Sequence, residues 1–403
     1  MSFPAFSGTG GGDDFDWAQF QGPRRDNKSL EKGLLSQWPA SGPELLWTQQ
    51  GLGEGYSSVV CADGLLYTTG NVEKDTVIVA LDTRGEIRWR IRNGPACRHP
   101  HPGARGTPTV TGGCLYHENA DGGIICVKAE NGDHVWSVNI LERFKGRNIK
   151  WGLSESLLID KGKVICTPGG EDVGLAALDV KTGDTVWVCT GISEKPGYCS
   201  PIVFEYEGLR QIVTLMAESI VGLNAHTGKL LWKFKNLAKY DENITSPYYH
   251  DGHIFTSTRT SGSRLLRIQV KGDTASVEQV WTEQRFQNQH GGVIGLDGCF
   301  CGACMASRDA PWKCICFHTG ELLYSGPGIG RASLCYADGM LYLMNHRHKV
   351  ALVKPGPRKF DLIASFEIPK QGRGPTWARP VVAGGRLYIR HGDFLYCYGI
   401  KAK

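Results

Sequence analysis

The chain has 403 residues, with 45 Lys and Arg against 40 Asp and Glu and a formal net charge of +5. So mild and scattered a balance lacks the basic face of a nucleic-acid binder, and no apolar run approaches the roughly 18 residues that span a membrane. Aromatic content of 10%, 53 glycines and only 5 methionines fit many short strands joined by tight turns.

In chain order, residues 1–16 are rich in Gly, Ser and Asp and carry neither a basic nor an apolar leader pattern, so a disordered tail is expected there. One domain is expected over 17–403, opening at Trp17-Ala18-Gln19-Phe20-Gln21-Gly22-Pro23. An isolated apolar strand, Glu44-Leu45-Leu46-Trp47-Thr48, follows without partners nearby in sequence.

A repeat then begins. Its pattern is clearest in Ala177-Leu178-Asp179-Val180-Lys181-Thr182-Gly183-Asp184-Thr185-Val186-Trp187. Apolar residues run into a polar turn, glycine supplies the positive φ of the hairpin, and an aromatic residue follows four positions later. The same glycine and aromatic recur as Gly85 and Trp89, Gly132 and Trp136, Gly228 and Trp232, and Gly320 and Tyr324. With Gly272, the glycines lie 44 to 51 residues apart. That period belongs to a propeller blade rather than a helical repeat.

Each blade starts with small residues before its first strand: Tyr56-Ser57-Ser58, Arg105-Gly106-Thr107, Trp151 to Ser156, Tyr198-Cys199-Ser200, Asn243 to Ser246, His290-Gly291-Gly292, Arg331-Ala332-Ser333 and Trp377-Ala378-Arg379. The last blade lacks a fourth strand, which Glu44 to Thr48 would supply by closing the ring and removing its open edges. The expectation is an all-β, eight-bladed propeller, with seven blades as the alternative because the seventh lacks the glycine-to-tryptophan signature.

These repeats resemble the quinoprotein-like (PQQ-like) β-propeller family, and most closely its short single-propeller branch found in Planctomycetes. The carrying motifs are Ala177 to Trp187, Trp17 to Pro23, Gly53 to Ser58, Lys150-Trp151-Gly152, Thr167 to Gly170 and Tyr336 to Tyr342. The resemblance implies two functions. One is a PQQ- and calcium-dependent alcohol or sugar dehydrogenase; the other is a non-catalytic binding or scaffolding propeller like the outer-membrane assembly lipoprotein. The chain departs from the dehydrogenases in lacking an adjacent cysteine pair to stack on the quinone and a Cys-x-x-Cys-His haem motif. Glu155, Asn243 and Trp151 are residues of the type the quinone and calcium site uses.

First strands line a propeller's channel, so their starts converge. Candidate ligand-binding residues are Tyr56, Arg105, Trp151, Ser154, Glu155, Tyr198, Asn243, His290, Arg331, Trp377 and Arg379. Aromatic faces, guanidinium forks and a single carboxylate suit a small anionic or sugar-like molecule, or a partner protein or peptide at the channel mouth. The competing reading pairs Arg105 or Arg331 with Glu155 and leaves only water in the channel. Glu155 and His290 form a candidate acid and base if they meet.

His99 and His101 sit in a proline-stiffened loop before the second blade and serve either as metal ligands or as surface and ligand contacts. Cys299, Cys301, Cys314 and Cys316 alternate on two neighbouring strands, the arrangement of either a zinc site or packed thiols. The fourteen cysteines lie mostly within strands, which favours reduced thiols and a cytoplasmic location; a trimmed leader would make it periplasmic, and a monomer is expected.

Overall fold

The computed structural model describes residues 16–305 and 309–402; the tail expected over 1–16 lies outside them except for the exposed Asp16. Eight four-stranded antiparallel sheets are arranged as blades, and seven of them use four consecutive strands. The eighth takes three strands from Val381–Ala383, Arg386–His391 and Phe394–Gly399 and its outermost from the N-terminal Glu44–Gln50. Leu45 pairs with Tyr398 and Thr48 with Tyr396, so the two chain ends close the ring. The seventh blade is complete, spanning Ala332–Ala337 to Lys359–Glu367 despite its missing signature.

The repeated glycine and tryptophan have a joint role between blades. A Cβ at Gly183 would lie 2.7 Å from the Trp136 ring of the preceding blade, and one at Gly228 2.4 Å from Trp187. Gly85 receives Trp47, Gly132 receives Trp89 and Gly320 receives Trp281 in the same way. Several of these indoles also donate to the next blade, Trp47 to the Thr83 carbonyl, Trp89 to Ala129 and Trp136 to Val180. Each glycine thus makes its own turn at positive φ and leaves room for its neighbour's indole.

The N-terminal segment before the closing strand crosses the inner end of the channel. Trp17 exchanges backbone hydrogen bonds with Cys61 of the first blade, and the Val110 amide of the second donates to Ala18. The buried Arg25 guanidinium donates to Ser156, Leu157 and Pro201 carbonyls, tying the third and fourth blades. Asn27 reaches Val293 of the sixth, and Ser29 reaches Tyr336 of the seventh and Val382 of the eighth. Residues 17–29 therefore form a plug, and the channel becomes a cup with one mouth.

The cysteine expectation needs correction. Cys301 and Cys314 form a disulfide, with Cα atoms 4.2 Å apart, and twelve described cysteines are free. Antiparallel register sets Cys301 opposite Cys314 and Cys299 opposite Cys316, so the two faces do coincide. Directly opposed residues of a narrow pair bring sulfurs within bonding reach. With two of the four sulfurs joined, no four-thiolate zinc set remains.

Candidate functional site

The cup holds a cavity of about 360 Å³ at the mouth side of the channel. Nine of the eleven expected residues line it: Tyr56, Arg105, Trp151, Ser154, Tyr198, His290, Arg331, Trp377 and Arg379. Glu155 and Asn243 do not. Side chains alternate as the chain enters each first strand, so Ser154 and Ser156 face the cavity and Glu155 turns away. In the fifth blade Glu242, Ile244 and Ser246 face in, and Asn243 turns outward. Fully buried, Asn243 donates to the carbonyls of Met216, Ala217 and Asn236 and accepts from the Asn236 amide, which makes it a structural clamp.

Glu155 lies behind the wall. Loss of hydration raises its carboxyl pKa to about 8, only partly offset by Thr167 and the Arg25 charge. Buried Glu118 is held well above the usual carboxylate range by the same loss of water and by Glu155. No ion pair joins Glu155 to Arg105 or Arg331 among the described residues, so the expected channel pairing is replaced by the field of the plug's Arg25. Facing away from the cavity that His290 lines, Glu155 does not make an acid and base pair with it there.

A collar of hydroxyls lines the cavity's lower wall from the first blade to the fifth. The Ser58 amide donates to Thr107 Oγ1 of the next blade, Thr107 to Ser156 Oγ, Ser156 to Ser200 Oγ and Ser200 to Ser246 Oγ, at 2.9 to 3.4 Å. The Arg379 amide of the eighth blade donates to Ser58 Oγ and continues the circle. The sixth blade breaks it with Gly292, where a Cβ would stand 2.0 Å from Arg379 Nη1. Arg379 fills that gap: its guanidinium donates to Asn27 Oδ1 and the His290 carbonyl and lies 5.0 Å over the Phe20 ring of the plug. Burial lowers its pKa to about 10, which leaves it charged at neutral pH.

Two aromatic walls rise above the collar. Trp377 contacts Tyr56 at a centroid distance of 4.7 Å and both His101 and His290 at 5.1 Å. On the other wall Trp151 and Tyr198 lie 5.5 Å apart. Loss of water and the nearby Arg379 and Arg331 push the His290 pKa down to about 3, so its ring is neutral.

Charge in the cup is strongly positive. Arg105, Arg259, Arg331 and Arg379 face a single carboxylate, Glu242, which Gln289 and Arg259 hold at 3.1 and 3.8 Å. Arg105 spends one nitrogen on the carbonyls of Pro100 and His101, which pins the loop carrying His101, and leaves its buried Nε without a hydrogen-bond partner among the described residues. The half-buried Arg331 guanidinium has no hydrogen-bond or ion-pair partner among the described residues. The paired-histidine metal expectation separates: His99 meets Asp121 at 3.5 Å while His101 lines the cavity. Among the described residues no three His, Cys, Asp or Glu side chains are grouped to hold a metal.

Phe20, Arg259 and the collar were not singled out from sequence. Phe20 comes from the plug and Arg259 from a hairpin loop of the fifth blade, so neither sits at a strand start. The collar had a signal, the recurring Ser or Thr in the small-residue strand starts.

The family model described as outer membrane protein assembly factor BamB matches residues 74–299. Methanol dehydrogenase [cytochrome c] subunit 1 of Methylorubrum extorquens is 28% identical over 197 residues, 44% of this chain and 29% of that protein. The chain thus spans less than a third of the length of that relative. Among solved structures, BamB from Moraxella catarrhalis superposes with a TM-score of 0.62 at 14% identity, over 89% of this chain and 98% of that one. A europium-containing methanol dehydrogenase gives 0.70 at 11%, over 94% and 91%. Quinohemoprotein alcohol dehydrogenase from Comamonas testosteroni gives 0.67 at 13%, over 96% and 81%. At these identities the structural likeness establishes the fold alone.

Proposed function

The chain belongs to the BamB-like, PQQ-like propeller family, and on that premise we propose that it is a non-catalytic binding propeller whose cup takes a small anionic molecule bearing a ring. The observation that carries this reading is the set of four arginines against one carboxylate among the described lining residues, with Arg331 free of any hydrogen-bond or ion-pair partner among the described residues, in a one-mouthed cavity between aromatic walls. Guanidinium forks suit a carboxylate, and the faces of Trp151 and Trp377 suit a sugar or planar ring. The hydroxyl collar adds polar contacts beneath. A cavity of about 360 Å³ has the size of a small-molecule site rather than of a protein segment.

The alternative is the dehydrogenase reading, favoured by the methanol dehydrogenase relatives. A planar carboxylated quinone suits the arginines and aromatic walls. The calcium it works with does not fit: Asn243 is committed to backbone carbonyls, Glu155 turns away from the cavity and keeps its proton near neutral pH, and Glu242 is the one acid among the described residues that line the cup.

Calorimetric titration of the full chain with galacturonate and galactose tests the proposal, with pyrroloquinoline quinone plus calcium and dye reduction alongside. The acid is expected to bind and the neutral sugar to bind at least about tenfold more weakly, a difference lost in Arg331→Gln, since an interaction with a charged partner contributes roughly 1.5–3 kcal/mol. Alcohol-dependent dye reduction in the presence of quinone and calcium would replace this reading with the dehydrogenase.

A further inference from the structure

Outside the cup, a line of alternating ring faces and cations leads away from Trp151. The Lys150 ammonium lies 5.1 Å from the Trp151 ring centroid and 5.5 Å from that of Tyr240, and the Lys239 ammonium lies 4.9 Å from Tyr240. Tyr240 is 60% exposed. Its backbone is held at φ 62° and ψ 25°, a left-handed conformation that is strained for a bulky residue. Asp241 follows in the same region at φ 59°.

That conformation is held from below. The Asp241 amide donates to Ala238, the Asn243 amide donates to Asp241, and the Lys239 amide donates to Thr260 Oγ1. Asn243, the buried clamp, anchors the turn's end, and Glu242 between them faces the cup. The turn thus has one acid inside the cavity and one aromatic ring outside in water, on a rigid base. Burial does not explain an exposed, strained tyrosine flanked by two lysines; presentation to a ligand does.

We propose that Trp151, Lys150, Tyr240 and Lys239 form an outer subsite for an acidic oligosaccharide, a chain of uronate units whose terminal ring occupies the cup. The inference rests on the binding role of the cup. One carboxylate and one ring per repeating unit match the order on the protein: Arg331 and the aromatic walls for the first unit, then Lys150 and Lys239 with the Tyr240 face for the next. A sugar's C–H face packs on the exposed part of the Tyr240 ring, and its carboxylate meets the Lys150 and Lys239 ammoniums that lie over that ring. An acidic peptide carries charge without a ring at each step and would leave the Tyr240 face uncovered.

The test compares galacturonate with its dimer and trimer by calorimetric titration of the full chain, wild type and Tyr240→Ala. Affinity is expected to rise about tenfold from monomer to trimer, and Tyr240→Ala to abolish that rise while leaving monomer affinity unchanged. Tyr240→Gly, which adopts the left-handed backbone without strain, repeats the measurement if the alanine variant unfolds. Equal affinity for monomer and trimer, or a rise that survives both variants, overturns the subsite and leaves the cup reading standing. A tri-glutamate peptide that binds more tightly than the trimer, and depends on Tyr240, overturns the ligand class. Failure of the monomer to bind overturns the cup reading and the subsite with it.

Discussion

At the residue scale, the site is set by exceptions to the repeat. Gly292 occupies the one collar position where blade six offers no side chain, and Arg379 the one where blade eight offers a cation; the second fits because of the first. Gly292→Ala places a methyl group on the Arg379 guanidinium and demands an L residue at φ +82°. The expected cost is about 2–4 kcal/mol, read as a lower denaturation midpoint, with loss of acid binding in whatever fraction folds. Arg379→Ala should lose binding without the backbone cost, which separates the two effects. Strand starts alone were enough to find nine lining residues, because first strands converge. Glu155 and Asn243 were misplaced by one position each: the period of two that turns them away is written in Ser154 and Ser156, and in Glu242, Ile244 and Ser246, once the facing residues are known.

The buried Glu155 makes a separate prediction about pH. Its folded pKa of about 8 lies above the usual value of 4.5, so between these limits the folded protein keeps a proton that the unfolded chain has released. The contribution to stability is present in full below about 4.5 and is lost as pH rises through about 8. His117 and His290, both pushed down to about 3 by burial, work in the opposite sense on the acid side. Between about pH 7.5 and about 8.5, where the histidines are almost wholly neutral in both states, the melting temperature should fall with rising pH, and Glu155→Gln should flatten that fall. An unchanged slope in the variant would assign the alkaline loss to other groups.

At the scale of the element, the hairpin signature was legible as a turn and illegible as a contact. The sequence pattern explains why Gly183 has positive φ; it does not show that Trp136 comes from the preceding blade to cover it, since periodicity fixes spacing within a blade and not the rotation between blades. Gly162 provides a control, with φ +79° and no atom within 4 Å of a built Cβ. Gly162→Ala should cost only the backbone conformation, about 1–2 kcal/mol. Gly183→Ala should cost about 1–3 kcal/mol more, because its methyl group meets the indole. Chemical denaturation of the two variants measures the difference directly, and equal midpoints would show that the blades shift to accept the methyl group.

At the scale of the whole molecule, closure and plugging are two separate uses of the same N-terminal region. The Glu44–Gln50 strand was legible, because a final blade short of one strand and a leading strand without partners complete each other. The plug was not: Trp17 to Ser29 has no period, and its contacts join residues up to 353 positions apart, as between Ser29 and Val382. Removing residues 1–29 while keeping Glu44–Gln50 separates the two roles. The ring should stay closed, with strand content unchanged by circular dichroism, because none of the four strands of the eighth blade is touched. The cup should lose its floor, since Phe20 leaves from beneath Arg379 and Arg25 no longer ties Ser156, Leu157 and Pro201 together. Glu155 would also lose the one cation that offsets its burial, so the truncated chain should melt at lower temperature and fall faster above neutral pH than the full chain. Acid binding is expected to drop by at least about tenfold, the equivalent of 1.4 kcal/mol. Undiminished binding in a truncated protein that keeps its strand content would mean that the ligand is held by the mouth alone, by Arg331 and the two aromatic walls, and that the plug serves only the fold.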